Sequence, residues 1–598
     1  MFRLQFRELF KAALCMLLIP LALPASIPPR VISMQPAAHT VMPGLLPEIT
    51  VRFDAPIDPA SVHSHSFAVF GRWAGVCPGE YEFLDNNQQI RFLPRRAFSG
   101  GELITVSISK EVRNANGETM AKGFAWSFVT ASRPGSFELR ESRRISVRRP
   151  GEGQIRTYGA YAGDLNGDGY HDFTVPNEDA NDIRVFMNDG AGSYSTIFRV
   201  FPLPANSTPS TNEGADFNGD GLLDFALGNI RSGTAGVFIG DGQGGFATPK
   251  IYSTGAGTRG LGVLDLNGDG APDLVTANRG ASTVTKLLNA GDGTFTVSAV
   301  PETGARGETS CAIADANEDG VMDAFIGSFE SGEMVVLLGD GNGNLVFSTR
   351  VKCGGDAWMA AAGDVDGDRH VDVVAAHANQ RKFAVLRGDG TGQLGEAQVF
   401  DTGFFPLAID LGDVDGDGDL DLATSNYASA NFILFQNDGA GRFSPRKTLP
   451  ASTAGSCAVL HDRDRDGDLD MTGIDEEDDL LFLFENPGPG TAVDELPASP
   501  GTFELFQSYP NPVIAGGHHL EHFADQIVVP FQLQQPARVR LEIIDLRGVV
   551  VRILLNEERS VGRHHVQSSL RNLPPGVYFY RLQANGISAT RRLVVLAR

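Results

Sequence analysis

A nine-residue pattern, D-x-[ND]-x-D-x-x-x-D, recurs seven times in this 598-residue chain, beginning at Asp164, Asp216, Asp265, Asp315, Asp364, Asp413 and Asp462. The intervals are 52, 49, 50, 49, 49 and 49 residues. A period near fifty residues leaves room for about four short strands, and a sheet that small can bury its faces only against its neighbours. Seven such units in succession do so by ringing an axis. The spacing predicts an all-β chain with a seven-bladed β-propeller at its centre.

Within each copy, positions 1, 3, 5 and 9 carry side-chain oxygens and position 7 can offer its carbonyl, a set that suits a hard cation accepting six to eight oxygens. The expected ligands are Asp164, Asn166, Asp168 and Asp172; Asp216, Asn218, Asp220 and Asp224; Asp265, Asn267, Asp269 and Asp273; and Asp315, Asn317, Asp319 and Asp323. The last three loops add Asp364, Asp366, Asp368 and Asp372; Asp413, Asp415, Asp417 and Asp421; and Asp462, Asp464, Asp466 and Asp470. Calcium fits best, up to seven ions, and glycine at position 6 eases the turn in six copies, with Arg369 in the fifth. These positions hold 24 carboxylates in a chain of net charge −24, so the acidity belongs to the loops, and no nucleic-acid partner is expected.

With those motifs at that period, the stretch from about Arg133 to Gly490 resembles the FG-GAP/VCBS repeats, the family that includes the integrin α-subunit propeller. The resemblance implies metal loops on a lower face, between the first and second strands of each blade. The inter-blade and second-to-third-strand loops then line the upper face, placing Arg231, Arg279, Trp358, His377, Phe404, Phe405 and Tyr427 there. Aromatic and cationic side chains of this kind stack on sugars or anchor protein ligands. Six blades also carry a glycine hairpin closed by an aromatic ring or leucine. Blade seven instead runs into Asn486-Pro-Gly-Pro-Gly490, and proline cannot continue a paired strand. The missing outer strand is expected from residues 137–149, within a propeller assigned to 133–490.

The flanks read differently. Residues 1–26 have Arg3, Arg7 and Lys11 ahead of an apolar run, as a secretory signal does, and no transmembrane segment is expected in the mature chain. Residues 27–132 alternate apolar and polar side chains, as at Ile49, Val51 and Phe53, which predicts a small sandwich. The run from Pro47 to Val62 resembles the bacterial Ig-like domain; it carries no evident chemistry and is expected to be separable from the propeller. After a linker at 491–505, residues 506–598 alternate again. Tyr509-Pro-Asn-Pro512, Gly576-Val-Tyr-Phe-Tyr-Arg-Leu582 and the basic, apolar terminus are similar to the type IX (Por) secretion C-terminal sorting domain. That resemblance implies the type IX machinery as a partner and the outer surface of a Gram-negative bacterium as the destination.

Other motifs are weaker. His518-His519-Leu520-Glu521-His522 matches an inverted zinc-protease signature but follows Gly516-Gly517 rather than lying in a helical pattern; Gly255 to Gly260 matches G-x-G-x-x-G but opens no helix; Arg387-Gly388-Asp389 is the repeat's own hairpin turn. Cys77, Cys311, Cys353 and Cys457 are scattered with no paired spacing, which suits buried thiols. No nucleophile and base, and no paired carboxylates outside the loops, can be singled out. The expected function is calcium-stabilised, non-enzymatic binding or adhesion to a glycan or protein. The alternatives are a carbohydrate-active enzyme, lyase-like in its propeller, and a purely structural surface-layer protein.

Overall fold

The computed structural model describes residues 27–488 without interruption and, beyond them, residues 503–505, 508, 513–514 and most of 526–596. The leader assigned to 1–26 and the His518–His522 motif lie outside the described residues.

Seven four-stranded antiparallel sheets make the blades. In each, a loop of the repeated acidic pattern joins the innermost strand to the second, as between Tyr161–Gly163 and Asp172–Asn177. The second strands are buried along their whole length, as Asp224–Asn229 and Asp421–Asn426 show, because neighbouring blades cover both faces. Phe225, Leu227, Phe238 and Ile183 fill one such inter-blade layer, and Val374, Phe383, Leu422 and Phe435 another. The inner strands of adjacent blades touch in order round the ring, and that of blade one, Tyr161–Gly163, meets that of blade seven, Gly455–His461.

The fourth strand of blade seven is Arg140–Ser146, which precedes blade one in the chain and pairs antiparallel with Leu480–Glu485. Ile145 and Val147 sit in the same core as Leu481 and Phe482. Sheet hydrogen bonds thereby join the two ends of the propeller segment.

The N-terminal unit is a sandwich. A four-stranded sheet carries Ile49–Phe53, and a five-stranded one carries Leu103–Ile108 and Phe124–Thr130. Alternate residues face inward to a core of Val51, Phe53, Val106, Trp126 and Phe128, with the Trp126 indole N–H donating to the Pro36 carbonyl at 3.1 Å. The C-terminal unit is a second sandwich, of three and five strands, closed over Val529, Phe531, Leu541, Ile543, Tyr580 and Leu582.

The N-terminal unit is docked on the propeller, contrary to the expectation of a separable module. Trp73, 4% exposed, lies in the core shared by blades one and seven, 5.2 Å from the His171 ring and 6.3 Å from that of His461. Bonds tie it to four different acidic loops: Trp73 O accepts from Asp164 N at 2.8 Å, Lys110 N donates to Gly268 O at 2.7 Å, Ala125 N to Gly320 O at 2.7 Å and Gly100 N to Asp462 Oδ2 at 3.1 Å. Period-two alternation locates a sandwich core but says nothing about which loops meet a second body.

Candidate functional sites

The acidic loops are folded by their own side chains. In blade six, Asp413 Oδ2 accepts from Gly418 N at 3.1 Å and Asp417 Oδ1 from Asp419 N at 3.0 Å, which curls the loop over its carboxylates. Asp421 is the first residue of the second strand. It accepts from Val414 N at 3.0 Å and from Asn437 N, at the end of the third strand, at 2.9 Å. The first five loops repeat this, down to Asp172 with Leu165 and Asn188 and Asp372 with Val365 and Gly388, whereas Asp470 of the seventh accepts only from Asn486 N, at 2.9 Å. Position 9 is therefore a staple between strands as well as an oxygen donor.

The remaining oxygens converge. Ligand atoms of Asp364, Asp366 and Asp372, of Asp413, Asp415 and Asp421, and of Asp462, Asp464 and Asp466 lie within 4.8 Å of one another in each set. Asp164 Oδ1 and Asp415 Oδ1 are buried with no hydrogen-bond partner, orphaned acceptors of the kind a cation satisfies. Burial, reinforced by Asp168 and Asp164, pushes the Asp172 carboxyl up to about 8, and Asp421 reaches about 8 through burial and its neighbours Asp415 and Asp413. Such carboxylates can all be ionised together only around positive charge. These clusters can hold metal ions.

Loop seven departs from the rest. Where the other loops have an apolar residue or alanine at position 2, it has Arg463, wholly buried, with its guanidinium 2.9 Å from Glu485 and donating to Gly192 O at 2.6 Å. In loop five, Arg369 takes the positive φ that glycine takes elsewhere, at 75°, and its amide still donates to Asp364 at 2.9 Å. The Arg387-Gly388-Asp389 turn is held by its own blade, Arg387 lying 3.3 Å from Asp366 and Gly388 N donating to Asp372.

The opposite face narrows to a mouth on the axis. Six residues before the first aspartate of each loop stand Tyr158, Ser210, Arg259, Thr309, Trp358, Leu407 and Ser456. In blades two to seven the strand register slips here by one residue, a bulge that turns the extra side chain inward. Tyr158, Trp358 and Leu407, from blades one, five and six, meet in one cluster, and the Trp358 indole N–H donates to the Tyr158 hydroxyl at 3.4 Å. Fourteen residues after the same aspartate, Glu178, Ile230, Arg279, Phe329, Ala378, Tyr427 and Glu476 form a wider ring around it.

Of the seven residues expected on this face, four come together. Arg279 lies 5.1 Å from the Trp358 ring, Trp358 6.3 Å from Phe405, and Phe405 5.9 Å from Tyr427. Phe404 is 49% exposed beside them with the Arg381 guanidinium 3.6 Å from its ring, while Arg231 is exposed and outside the cluster. Two placements correct the sequence reading. His377 is 0% exposed and cannot touch a ligand, because it lies in a second strand covered on both faces. Trp358, 8% exposed, supports the mouth rather than offering an open platform. Sequence reasoning passed over Tyr158, Arg259, Phe329 and Glu476, which aligning the seven repeats on their first aspartate would have brought out.

Glu476 bonds Arg156 at 2.6 Å on the far rim, and the Tyr427 hydroxyl donates to Glu477 at 2.6 Å. Phe405 has φ of 55°, a left-handed conformation costing a bulky residue about 1–3 kcal/mol and found mainly where surroundings enforce it. Below the mouth, a cavity of about 920 Å³ follows the axis and opens between propeller and N-terminal unit. Arg72 of that unit reaches Asp410 there at 3.3 Å.

Seven blades on one axis, cage-like acidic loops on one face and a ring-lined mouth on the other define a repeat β-propeller. FG-GAP-like repeat models match residues 164–227, 216–276, 265–326, 315–375, 364–424 and 413–472, together more than half of the chain. The protein belongs to the FG-GAP-like repeat family. A bacterial Ig-like domain matches residues 25–130, and a secretion system C-terminal sorting domain matches 507–596. The sorting tail directs the chain through type IX secretion to the extracellular or cell-surface space. Among the described residues no helix is long and apolar enough to cross a membrane. No curated protein matches. Solved structures that resemble it include a protein from Lactobacillus plantarum, with 14% identity, a TM-score of 0.39, and 66% of this chain and 98% of that chain covered. Another is a functionally unknown protein from Desulfotomaculum acetoxidans, with 13% identity, a TM-score of 0.33 and coverages of 57% and 98%. At these scores the likeness carries no argument.

Proposed function

We propose that the protein is a calcium-stapled binding module displayed on the surface of a Gram-negative bacterium, and that the axial mouth of its propeller binds a glycan. The observation that carries this is the convergence of Trp358, Phe405, Tyr427, Arg279 and Arg259 from three blades on one axis, whereas the acidic loops face the N-terminal unit. Partly exposed rings with polar rims suit the apolar face and hydroxyl edge of a sugar. Calcium is the cation of choice for the loops, since four side-chain oxygens and a carbonyl in a flexible loop match its ligand number. The role assigned to the loops is structural, with each ion fixing one blade.

A glycan array probed with the mature chain tests the reading, with Tyr427→Ala and Phe405→Ala as variants. Saturable binding that both variants weaken supports it. Binding that neither variant changes, with melting temperatures preserved, removes the mouth from the account.

A further inference from the structure

We propose that Arg259 and Arg279 form a carboxylate-binding corner of the mouth, and that the glycan it takes is an acidic one carrying uronate groups. This rests on the reading of the mouth as a glycan site and specifies its chemistry.

The two guanidiniums share one indole: Arg259 lies 4.3 Å from the Trp358 ring and Arg279 5.1 Å. Arg259 also covers Tyr158 at 4.8 Å, and Arg279 covers Phe329 at 4.2 Å. The aromatic faces hold both cations in place. Among the described residues, neither guanidinium donates a hydrogen bond or has a carboxylate within 4.0 Å. Other arginines buried in or against this propeller are paired. Arg184 has Asp182 and Glu152, Arg463 has Asp470 and Glu485, Arg156 has Glu476, and Arg72 has Asp410.

Two unpaired like charges on one ring repel, and burial followed by the Arg259 charge holds the Arg279 guanidinium below its usual range. An anion between them relieves that repulsion, and the planar fork of a guanidinium matches a carboxylate. The geometry also orients the ligand. The acids that act on the two guanidiniums, Glu178 on Arg259 and Glu330 and Asp356 on Arg279, stay beyond 4.0 Å and leave both forks unfilled. The partly exposed rings of Phe405 and Tyr427 lie across Trp358 from that corner, where a sugar ring attached to the carboxylate can pack.

The test compares three probes on the mature full-length chain by titration calorimetry: a short oligogalacturonate, the same chain fully methyl-esterified, and poly-glutamate. The acid form should bind about ten- to a hundred-fold more tightly than the ester, the range that a charged hydrogen-bonded contact supplies. Arg279→Gln should abolish that difference, and Arg279→Lys should restore only part of it, because lysine keeps the charge and loses the fork. Melting temperatures confirm that the variants fold, since Arg279 gives up no internal hydrogen bond. Equal binding of acid and ester, or an Arg279→Gln variant that still prefers the acid, overturns the corner while leaving the glycan reading of the mouth standing. Binding of neither sugar overturns both. Poly-glutamate bound as tightly as the acid sugar overturns the glycan class.

Discussion

The carboxylate of Asp421 does two things at once. Its bonds to Val414 N and Asn437 N tie the acidic loop and the end of the third strand to the start of the second strand, and neither bond involves an ion. Replacing it with alanine leaves two amides unpaired, at about 1–3 kcal/mol each. Asp421→Ala should therefore lower stability even in excess chelator. Asp417→Asn should act only when calcium is present, because an amide oxygen still accepts from Asp419 N while the charge is gone. Urea unfolding with and without chelator separates the two outcomes. His377 gives a pH prediction. Its ring nitrogens are buried without partners, and burial, then Lys382, lowers its pKa to about 4. The unfolded chain takes up that proton near pH 6.5, so the residue costs nothing above that pH. Stability then falls by about 3 kcal/mol as the pH drops from 6.5 to 4. His377→Phe should flatten this part of the stability curve relative to the parent, and identical slopes would remove the assignment.

At the level of elements, the docked sandwich and the borrowed strand decide stability. Trp73 is packed between blades one and seven, so Trp73→Ala should cost about 3–5 kcal/mol and destabilise the propeller although the residue belongs to the other unit. Ile145, buried in blade seven from the far end of the repeats, should cost about 2–5 kcal/mol on truncation to alanine. Guanidinium titrations of both variants check this. The blades and their acidic loops were legible because a fifty-residue period and a fixed ligand spacing are local signals. The mouth was half legible. Arg279, Phe405 and Tyr427 stand on loops that the repeat places on the upper face, whereas Arg259 looks like an ordinary strand residue until the bulge turns it inward. His377 was misplaced because a histidine ending a strand looks exposed in sequence, and only the neighbouring blades show that it is covered.

For the whole molecule, the net charge of −24 is concentrated where the seven loops cluster, so chelation should lower the melting temperature far more than added salt does. An unchanged midpoint in chelator would sink the calcium assignment. In a host with the type IX apparatus, a chain ending at Gly490 should fold and bind but remain in the periplasm; surface display of that truncated form would remove the export role of the C-terminal unit. The strand Arg140–Ser146 lying against Leu480–Glu485 has one more effect, on survival outside the cell. A surface protease that cuts any one loop between blades does not open the circle, because the strand ladder bridges the original ends. The nicked molecule is two chains, held together by that ladder and by the same inter-blade layers as before. To leave, either piece must first break the Arg140–Ser146 pairing with Leu480–Glu485 and the inter-blade layers at the cut.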